Sequence, residues 1–405
     1  MAYDVEELRK EFPAINQTLD GKPLVYLDSA CTTAICQAAI DAQLRYYTKF
    51  PGCAGRADHR FGLLATQAWT EARQDVASFL NASSPREIVF TKNTTEALNL
   101  VADAFPFQKD DVVLISDCEH NSNTLPWRRL GRRGIVRFVT TKCRDDTTFD
   151  LEWFSSQLSK EKPRLVSVLH KSNLTGVEFP IEEIIRMAHE HGALVVLDAA
   201  QSPMTSEIDV QDWDCDFLAF SSHKALGPSG VGVLYGKLHL LEQLDKFLIG
   251  GGTVEQLWGK DGPIFLGVPE QLEAGLQNTP GVIGLSAALK MIKSIGQENI
   301  RQHIETLNEY TTNRLLDIHG LSIMGPASPK DRGVMISFRL ESMEAKRIGK
   351  LLNEEANVMV RAGKHCVGLW FSTRGGDDVA RASFGPYNTL DECEIFCNAM
   401  EAIAG

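Results

Sequence analysis

Two charged side chains stand at the ends of apolar runs that are typical of buried strands, and both residue types can take part in covalent chemistry. Lys224 follows the run FLAF within FSSHK, and Asp198 follows ALVVL. Burial favours the neutral amine of a lysine, which can form a Schiff base with a carbonyl group. A carboxylate at the end of an apolar strand needs a cationic partner, and the pyridinium nitrogen of pyridoxal phosphate (PLP) is such a partner. A metal ligand or a helix cap is the alternative for Asp198, but the segment lacks the carboxylate cluster that magnesium prefers.

Hydroxyl and imidazole groups that could hold a phosphate follow two of these runs. Thr94 and Thr95 begin an amphipathic stretch after IVF, and the free N–H groups of a helix start bind phosphate. Taken alone, an ordinary helix cap is the commoner explanation of these threonines. Ser221 and His223 stand beside Lys224, where they are available to the same phosphate.

Three further polar residues follow other apolar runs. His120 comes after VVLISDCE, Asn173 after LVSVLH, and Gln201 shortly after Asp198. A single His or Asn in such a place is more often a loop residue than a ligand. Because ligands of open α/β sheets bind at the carboxyl ends of the strands, the order of these residues along the chain nevertheless indicates one shared site.

The elements that must position these residues are short strands and amphipathic helices. Between about Ile88 and Gly236 the runs IVF, VVLIS, IVRFV, LVSVL, ALVVLD, FLAFS and VGVLY alternate with amphipathic stretches. This alternation predicts an α/β fold with a mostly parallel, seven-stranded sheet between helices. The texture changes after GGG at 250–252, and a new set of elements from about Val334 predicts a smaller C-terminal α/β domain.

The motifs of the chain resemble those of the class V aminotransferase and cysteine desulfurase family, which are fold-type I PLP enzymes, over nearly the whole length. They are, in order, YLDSACTT, TKNTTEALN, EHNSNTLPW, LDAAQS, SSHKALGPSGVGVLYG, GGGT, EAGLQN, RAGKHC and RASFGPYNT. The resemblance implies an N-terminal segment (1–25) that packs on the small domain, a large PLP-binding domain (26–280) and a small C-terminal domain (281–405) with a catalytic cysteine loop.

The same resemblance implies a role for each candidate site residue. It places Lys224 in the Schiff base, Asp198 on the pyridine nitrogen and His120 on the face of the ring. The other assignments are Thr94, Thr95, Ser221 and His223 at the phosphate, Asn173 and Gln201 at the substrate carboxylate side and the ring hydroxyl, Arg381 and Arg361 at the substrate, and His59 as a substrate-binding, active-site histidine supplied near a dimer interface. His120 is, with Lys224 and Cys366, one of the implied catalytic residues.

Cys366 is the candidate nucleophile. It lies fifteen residues before Arg381 with no long insertion between them, a spacing similar to that of the group II branch of desulfurases, which is SufS-like and selenocysteine-lyase-like. Its neighbours Arg361, Lys364 and His365 are basic, and positive charge favours a thiolate. The alternative is an inert cysteine beside a strand.

The resemblance implies a homodimeric cysteine desulfurase. It would convert L-cysteine to L-alanine and leave the sulfur on Cys366 as a persulfide. An acceptor, either a SufE/SufU-like protein or a scaffold, would take that sulfur for iron–sulfur cluster or other thio-cofactor assembly. The alternatives are a lyase acting on L-selenocysteine, a cysteine sulfinate desulfinase, a class V lyase or aminotransferase that does not use Cys366, and a non-catalytic sulfur-carrier scaffold.

Several positions depart from the family pattern, among them Val367, Gly368 and Leu369 in place of the usual Ala-Gln-Pro after Cys366. Cys31 stands where alanine is usual, and Asn121 replaces a histidine. Leu276 cannot supply the hydroxyl that relatives lend to a neighbouring subunit's phosphate, and Val367 changes the wall beside Cys366. These departures affect the expected substrate and efficiency rather than the cofactor.

Composition excludes several classes of protein. The net charge of −12 argues against a nucleic-acid surface, which needs clustered basic residues. The start MAYDVEELRK lacks the features of a signal peptide, and no apolar stretch has the length of a membrane span. We therefore expect a cytoplasmic protein that binds neither nucleic acid nor membrane. The nine cysteines show no zinc spacing, so we expect no metal site.

Overall fold

The computed structural model describes residues 4–19, 21–259 and 262–405, and a central sheet is its largest sheet. The strands are β1 (Thr18–Leu19), β2 (Lys22–Pro23), β3 (Val25–Tyr26), β4 (Ile88–Thr91), β5 (Val112–Ser116), β6 (Arg137–Thr141), β7 (Leu165–Leu169), β8 (Leu194–Asp198), β9 (Phe217–Ser221), β10 (Gly232–Gly236), β11 (Val254–Gly259), β12 (Gly262–Phe265), β13 (Leu321–Met324), β14 (Met335–Leu340), β15 (Val358–Met359), β16 (Arg361–Gly363) and β17 (Val379–Ser383). The helices are α1 (Val5–Arg9), α2 (Gln37–Lys49), α3 (Arg60–Phe79), α4 (Thr94–Ala104), α5 (Asn121–Arg132), α6 (Leu151–Glu161), α7 (Ile181–Glu190), α8 (Leu238–Leu241), α9 (Thr279–Ile295), α10 (Gln297–Leu316), α11 (Ala345–Ala356), α12 (Gly368–Arg374) and α13 (Leu390–Ala404).

The central sheet has seven strands in the order β4-β10-β9-β8-β7-β5-β6. Strands β5 to β9 pair in parallel, whereas β10 runs antiparallel to both β9 and β4. Successive residues of one strand enter different cores: Val113 and Ile115 pack in one cluster and Leu114 in the other. Burial on both faces explains the continuous apolar runs of the sequence. The predicted seven-stranded, mostly parallel sheet is confirmed.

A smaller antiparallel sheet has the order β13-β14-β17-β16. Helices α11 and α13 pack beside it. Arg361 in β16 and Arg381 in β17 are direct cross-strand partners, so this sheet delivers two guanidinium groups side by side. The prediction of a second, C-terminal α/β unit agrees with this sheet and its helices.

The N-terminal segment contacts the C-terminal part of the chain. Strand β3 pairs in parallel with β15, and Arg9 Nη1 lies 2.9 Å from Glu392 Oε1. Residues 1–3 and 20 of the predicted segment 1–25 lie outside the described residues. The boundary placed after residue 280 falls in the first turn of α9, which packs on α2 and α3, and the division into domains stays a prediction.

No helix among the described residues is both long enough and apolar enough to cross a lipid bilayer.

Candidate active site

A cavity of about 300 Å³ opens at the carboxyl ends of the central strands. The predicted site residues that line it are Thr94, Thr95, His120, Asn173, Asp198, Gln201, Ser221, His223, Lys224, Arg361, Cys366 and Arg381. The polar ends of β8 and β9 therefore meet the cross-strand arginines of the smaller sheet in one place. Asn93, Ser122, Lys171, His365 and Cys31 also line the cavity.

Lys224 and Asp198 follow neighbouring parallel strands, as the spacing predicts. Lys224 ends the short helical turn after β9, and burial lowers the pKa of its amine, an effect that nearby Asp198 opposes. Asp198 is 5% exposed and accepts a hydrogen bond from Ala200 N at 3.0 Å. Burial raises the pKa of this carboxyl, and no cation of the described residues forms an ion pair with it. The site therefore offers a buried carboxylate to a cationic ligand.

Hydroxyl groups line the cavity where α4 begins. The Asn93 side chain caps α4 by accepting from Glu96 N. Thr94 N donates to Ser221 Oγ at 2.8 Å, and Thr95 Oγ1 lies 2.7 Å from Ser122 Oγ. Hydroxyls at a helix N-terminus suit an anion such as phosphate.

His120 also lines the cavity, and its imidazole ring is neutral near pH 7. It caps α5, and its Nδ1 accepts from Ser122 N at 3.0 Å. Burial, and after it the charge of Lys224, lowers the pKa of His120 to about 4. Burial likewise lowers the pKa of His223 to about 4 and that of His365 to about 3.

These lowered pKa values predict an acid-sensitive fold. The unfolded chain takes up protons on histidine near pH 6.5, whereas the folded cavity resists them until about pH 4. The free energy of unfolding of the cofactor-free protein should therefore fall as the pH drops from about 6.5 to about 4. Urea unfolding at several pH values measures this decline. The decline should be shallower for His120→Gln than for the wild-type protein, and it should be unchanged for the control His319→Gln, since His319 is exposed. Equal slopes in all three proteins would contradict the prediction.

Arg381 is a buried guanidinium with a free edge. It is 2% exposed, its Nη1 donates to Asn173 O at 2.6 Å, and its Nη2 donates to Asp28 Oδ1 at 3.1 Å. Its Nε has no hydrogen-bond partner among the described residues. Because Nε and the second hydrogen of Nη2 form one edge of the fork, a carboxylate can bind there in a bidentate manner.

Arg361 and Asn173 have partners that the sequence did not predict. Arg361 Nη1 donates to Cys31 Sγ at 2.6 Å. Asn173 Nδ2 donates to His365 O at 2.7 Å, so its amide supports the loop of Cys366. The predicted roles of both residues toward a substrate stay predictions.

Cys366 is exposed on a loop with unusual backbone geometry. His365 and Cys366 both have positive φ values, 46° and 60°. This conformation costs a non-glycine residue about 1–3 kcal/mol. It persists only where the surrounding structure holds the residue in place. Asn121 is one such support, since its N donates to Cys366 O at 2.6 Å and its Oδ1 accepts from Gly368 N at 3.2 Å. The Asn121 departure thus links α5 to the loop that carries Cys366.

Arg374 fixes the far end of the same segment. It is the last residue of α12, and its Nη1 donates to Asp117 Oδ2 at 2.6 Å. Its Nη2 donates to Cys143 O at 2.5 Å. Both partners follow strands of the central sheet, so the segment that carries Cys366 is attached to the rigid part of the molecule at both ends.

His59 lies outside the cavity of its own chain. It is exposed and caps α3, with Nδ1 accepting from Gly62 N at 3.3 Å. Its predicted place near a dimer interface stays a prediction.

Several cavity residues were not among the predicted site residues. Ser122 and Lys171 follow strand ends, a position that could have indicated them. The sequence indicates His365 only as a basic neighbour of Cys366, and it indicates Cys31 only as a departure from a family motif. Neither shows a local signal for the cavity, because each reaches it through tertiary contacts.

Comparison with known proteins agrees with the fold. The model of the class-V aminotransferase family matches residues 25–396. A probable cysteine desulfurase of Halalkalibacterium halodurans is 35% identical over 98% of this chain and 97% of its own length. Among solved structures, the apo cysteine desulfurase from Thermococcus onnurineus NA1 has a TM-score of 0.93 at 34% identity, covering 100% of this chain and 99% of that one. The cysteine desulfurase CsdA from Escherichia coli has a TM-score of 0.88 at 30% identity, covering 99% and 98%. The predicted family is confirmed: the chain belongs to the class-V aminotransferase family, and these three relatives bear the name cysteine desulfurase, one of them as probable.

Proposed function

We propose that this protein is a PLP-dependent cysteine desulfurase that converts L-cysteine to L-alanine and leaves the sulfur on Cys366 as a persulfide. The observation that carries the proposal is the shared cavity. Lys224, Arg381 and the exposed Cys366 all line it. An amine, a carboxylate receptor and a sulfur nucleophile are the groups that this reaction requires.

The residues of the cavity fit PLP. Asp198 offers a buried carboxylate, with no cation of the described residues paired to it, to the pyridine nitrogen. Thr95, Ser221 and the start of α4 would hold the phosphate, while Lys224 would hold the cofactor covalently through its amine. When bound, PLP supplies an electron sink for the negative charge that develops at the substrate Cα.

The chain's own groups do the rest of the chemistry. Arg381 orients the substrate through its carboxylate, and Lys224, whose pKa burial lowers, accepts the Cα proton as a neutral amine. The Cys366 thiolate attacks the substrate sulfur. The bond from sulfur to Cβ breaks with its electron pair left on carbon, which takes a proton and becomes the methyl group of alanine.

The sulfur acceptor is a separate protein in this proposal. Cys366 is exposed at the mouth of the cavity, which leaves its persulfide accessible to the thiol of a SufE/SufU-like protein or of a scaffold. The transferred sulfur would serve iron–sulfur cluster or other thio-cofactor assembly.

A homodimer is also part of the proposal. Large apolar side chains are exposed near the end of α2, at the start of α3 and on the segment after β12, among them Tyr47 (63%), Phe61 (44%) and Leu276 (70%) respectively. Arg56 Nη2 donates to Gly275 O at 2.6 Å and joins the last two of these regions. Exposed apolar surface of this kind marks an association site, and His59 lies beside it.

Sedimentation measures the predicted dimer. We expect the wild-type protein to be a dimer at micromolar concentration and Leu276→Glu to dissociate more readily, because the new carboxylate would be buried without a partner. Leu390→Glu, at an exposed leucine on α13, serves as the control. A wild-type monomer would contradict the proposal and the assignment of His59 with it.

Incubation with substrate tests the proposed reaction directly. The holoenzyme, mixed with L-cysteine, should release L-alanine and gain the mass of one sulfur on the peptide that contains Cys366. L-Selenocysteine and cysteine sulfinate are tested in parallel, because they distinguish the related lyase activities. Alanine release without added sulfur on Cys366 would show a reaction that does not use this thiol, and would overturn the proposal.

A further inference from the structure

A second cysteine, Cys31, lines the active-site cavity together with Cys366. Arg361 Nη1 donates to Cys31 Sγ at 2.6 Å. Attack on another sulfur atom is carried out by a thiolate, and the Arg361 guanidinium is the group in contact with this sulfur. Among the described cysteines these two line the cavity, and Cys53 is a partly exposed cysteine outside it.

The two cysteines line the same cavity. Arg361, which holds Cys31, begins β16 and precedes Cys366 by five residues. A persulfide would extend Cys366 by one S–S bond, which is about 2 Å long. The outer sulfur of that persulfide and the Cys31 thiolate then share a cavity of about 300 Å³.

His365 supplies an independent indication of a ligand here. It is 4% exposed and lines the cavity, and its Nε2 bonds to Val379 O at 3.1 Å. Because a carbonyl oxygen only accepts, this Nε2 carries the proton of the neutral ring. The buried Nδ1 is then an acceptor with no partner among the described residues. A ligand with a donor hydrogen would satisfy it, and the S–H of a persulfide is such a donor.

We propose, on the basis of the function proposed above, that Cys31 is a second sulfur carrier that takes the outer sulfur from the Cys366 persulfide. The Cys31 thiolate attacks that sulfur, a bond forms to Cys31 Sγ, and the bond to Cys366 Sγ breaks. Cys366 leaves as a thiolate, and the hydrogen stays on the transferred sulfur. Charge and electrons balance without an oxidant or a reductant.

The transfer gives the protein a sulfur store. Arg361 faces the anionic thiolate before the step and the new persulfide after it. Cys366 returns to its reactive form and can take sulfur from another substrate molecule. In the absence of an acceptor, the chain therefore holds sulfur at two positions.

Peptide mass spectrometry of the full-length holoenzyme tests this inference. The protein is incubated with L-cysteine without an acceptor, alkylated and digested. We expect added sulfur on both the Cys31 and the Cys366 peptides of the wild-type protein and of the control Cys53→Ala. Cys31→Ser, whose hydroxyl keeps a partner for Arg361, should carry it on Cys366 alone, and its yellow cofactor absorbance verifies that the variant is folded. Cys366→Ala should carry it on neither peptide.

The outcomes separate this inference from the proposed function. Added sulfur on Cys366 but none on Cys31 in the wild-type protein overturns the second carrier. A disulfide between the two cysteines in place of a Cys31 persulfide overturns it too, and so does sulfur on Cys31 in Cys366→Ala. Absence of added sulfur on Cys366 in the wild-type protein overturns the proposed function itself.

Discussion

Replacement of Cys366 by alanine is expected to lower the release of alanine and sulfide from L-cysteine by about a thousandfold or more, because the variant loses the nucleophile that accepts the sulfur. The cofactor site should stay intact, since Lys224, Asp198 and Arg381 reach the cavity from other strands. The yellow absorbance of the lysine-bound cofactor should therefore persist. Steady-state alanine formation and the visible spectrum measure the two effects.

Cys53→Ala is the matched control for that variant. Cys53 is a free, partly exposed cysteine that does not line the cavity, so its removal should leave alanine formation near the wild-type rate. Wild-type activity in Cys366→Ala would mean that the protein carries out the chemistry of another class-V enzyme. Loss of the cofactor spectrum in Cys366→Ala would instead indicate a role of the loop in holding the cofactor.

Replacement of Lys224 by alanine should abolish turnover and the yellow absorbance together. The variant loses the amine that holds PLP and the base that takes the Cα proton, and proton transfer alone contributes about 10²–10⁴-fold to a rate. Cofactor retained after dialysis, the visible spectrum and alanine formation measure the result.

Lys171→Ala separates the two lysines of the cavity. Lys171 Nζ lies 2.9 Å from Glu178 Oε2, so this side chain already has a carboxylate partner. We expect this variant to keep the yellow absorbance. If Lys171→Ala loses the absorbance and Lys224→Ala keeps it, the assignment of the cofactor lysine is wrong.

The sequence was informative where a residue's environment follows from its own strand. The apolar runs predict buried strands, and the polar residue after each run lies at the same edge of the sheet. For this reason Lys224 and Asp198 could be placed together before the structure was known, and the fold and family predictions are confirmed. The apolar run before each of these two residues was sufficient to predict its place at the end of a buried strand.

The contacts that the sequence did not predict join distant parts of the chain. Arg361 and Cys31 are 330 residues apart, and Asn173 and His365 are 192 apart. Local patterns carry no signal for such pairs, because they depend on how the smaller sheet docks on the larger one. The hydrogen bond from Asn121 to the Cys366 loop is another such long-range contact, since it joins the start of α5 to a loop far away in the sequence.

Under the proposed function, the attachment of the Cys366 segment by Asn121 and Arg374 determines how sulfur would leave the protein. A segment that is attached at both ends to the part of the molecule around the central sheet cannot move outward to deliver its sulfur to a distant surface. The acceptor must therefore travel the remaining distance itself. This geometry favours a partner whose thiol sits on a protruding loop narrow enough to enter the mouth of the cavity, and it disfavours delivery to a flat surface.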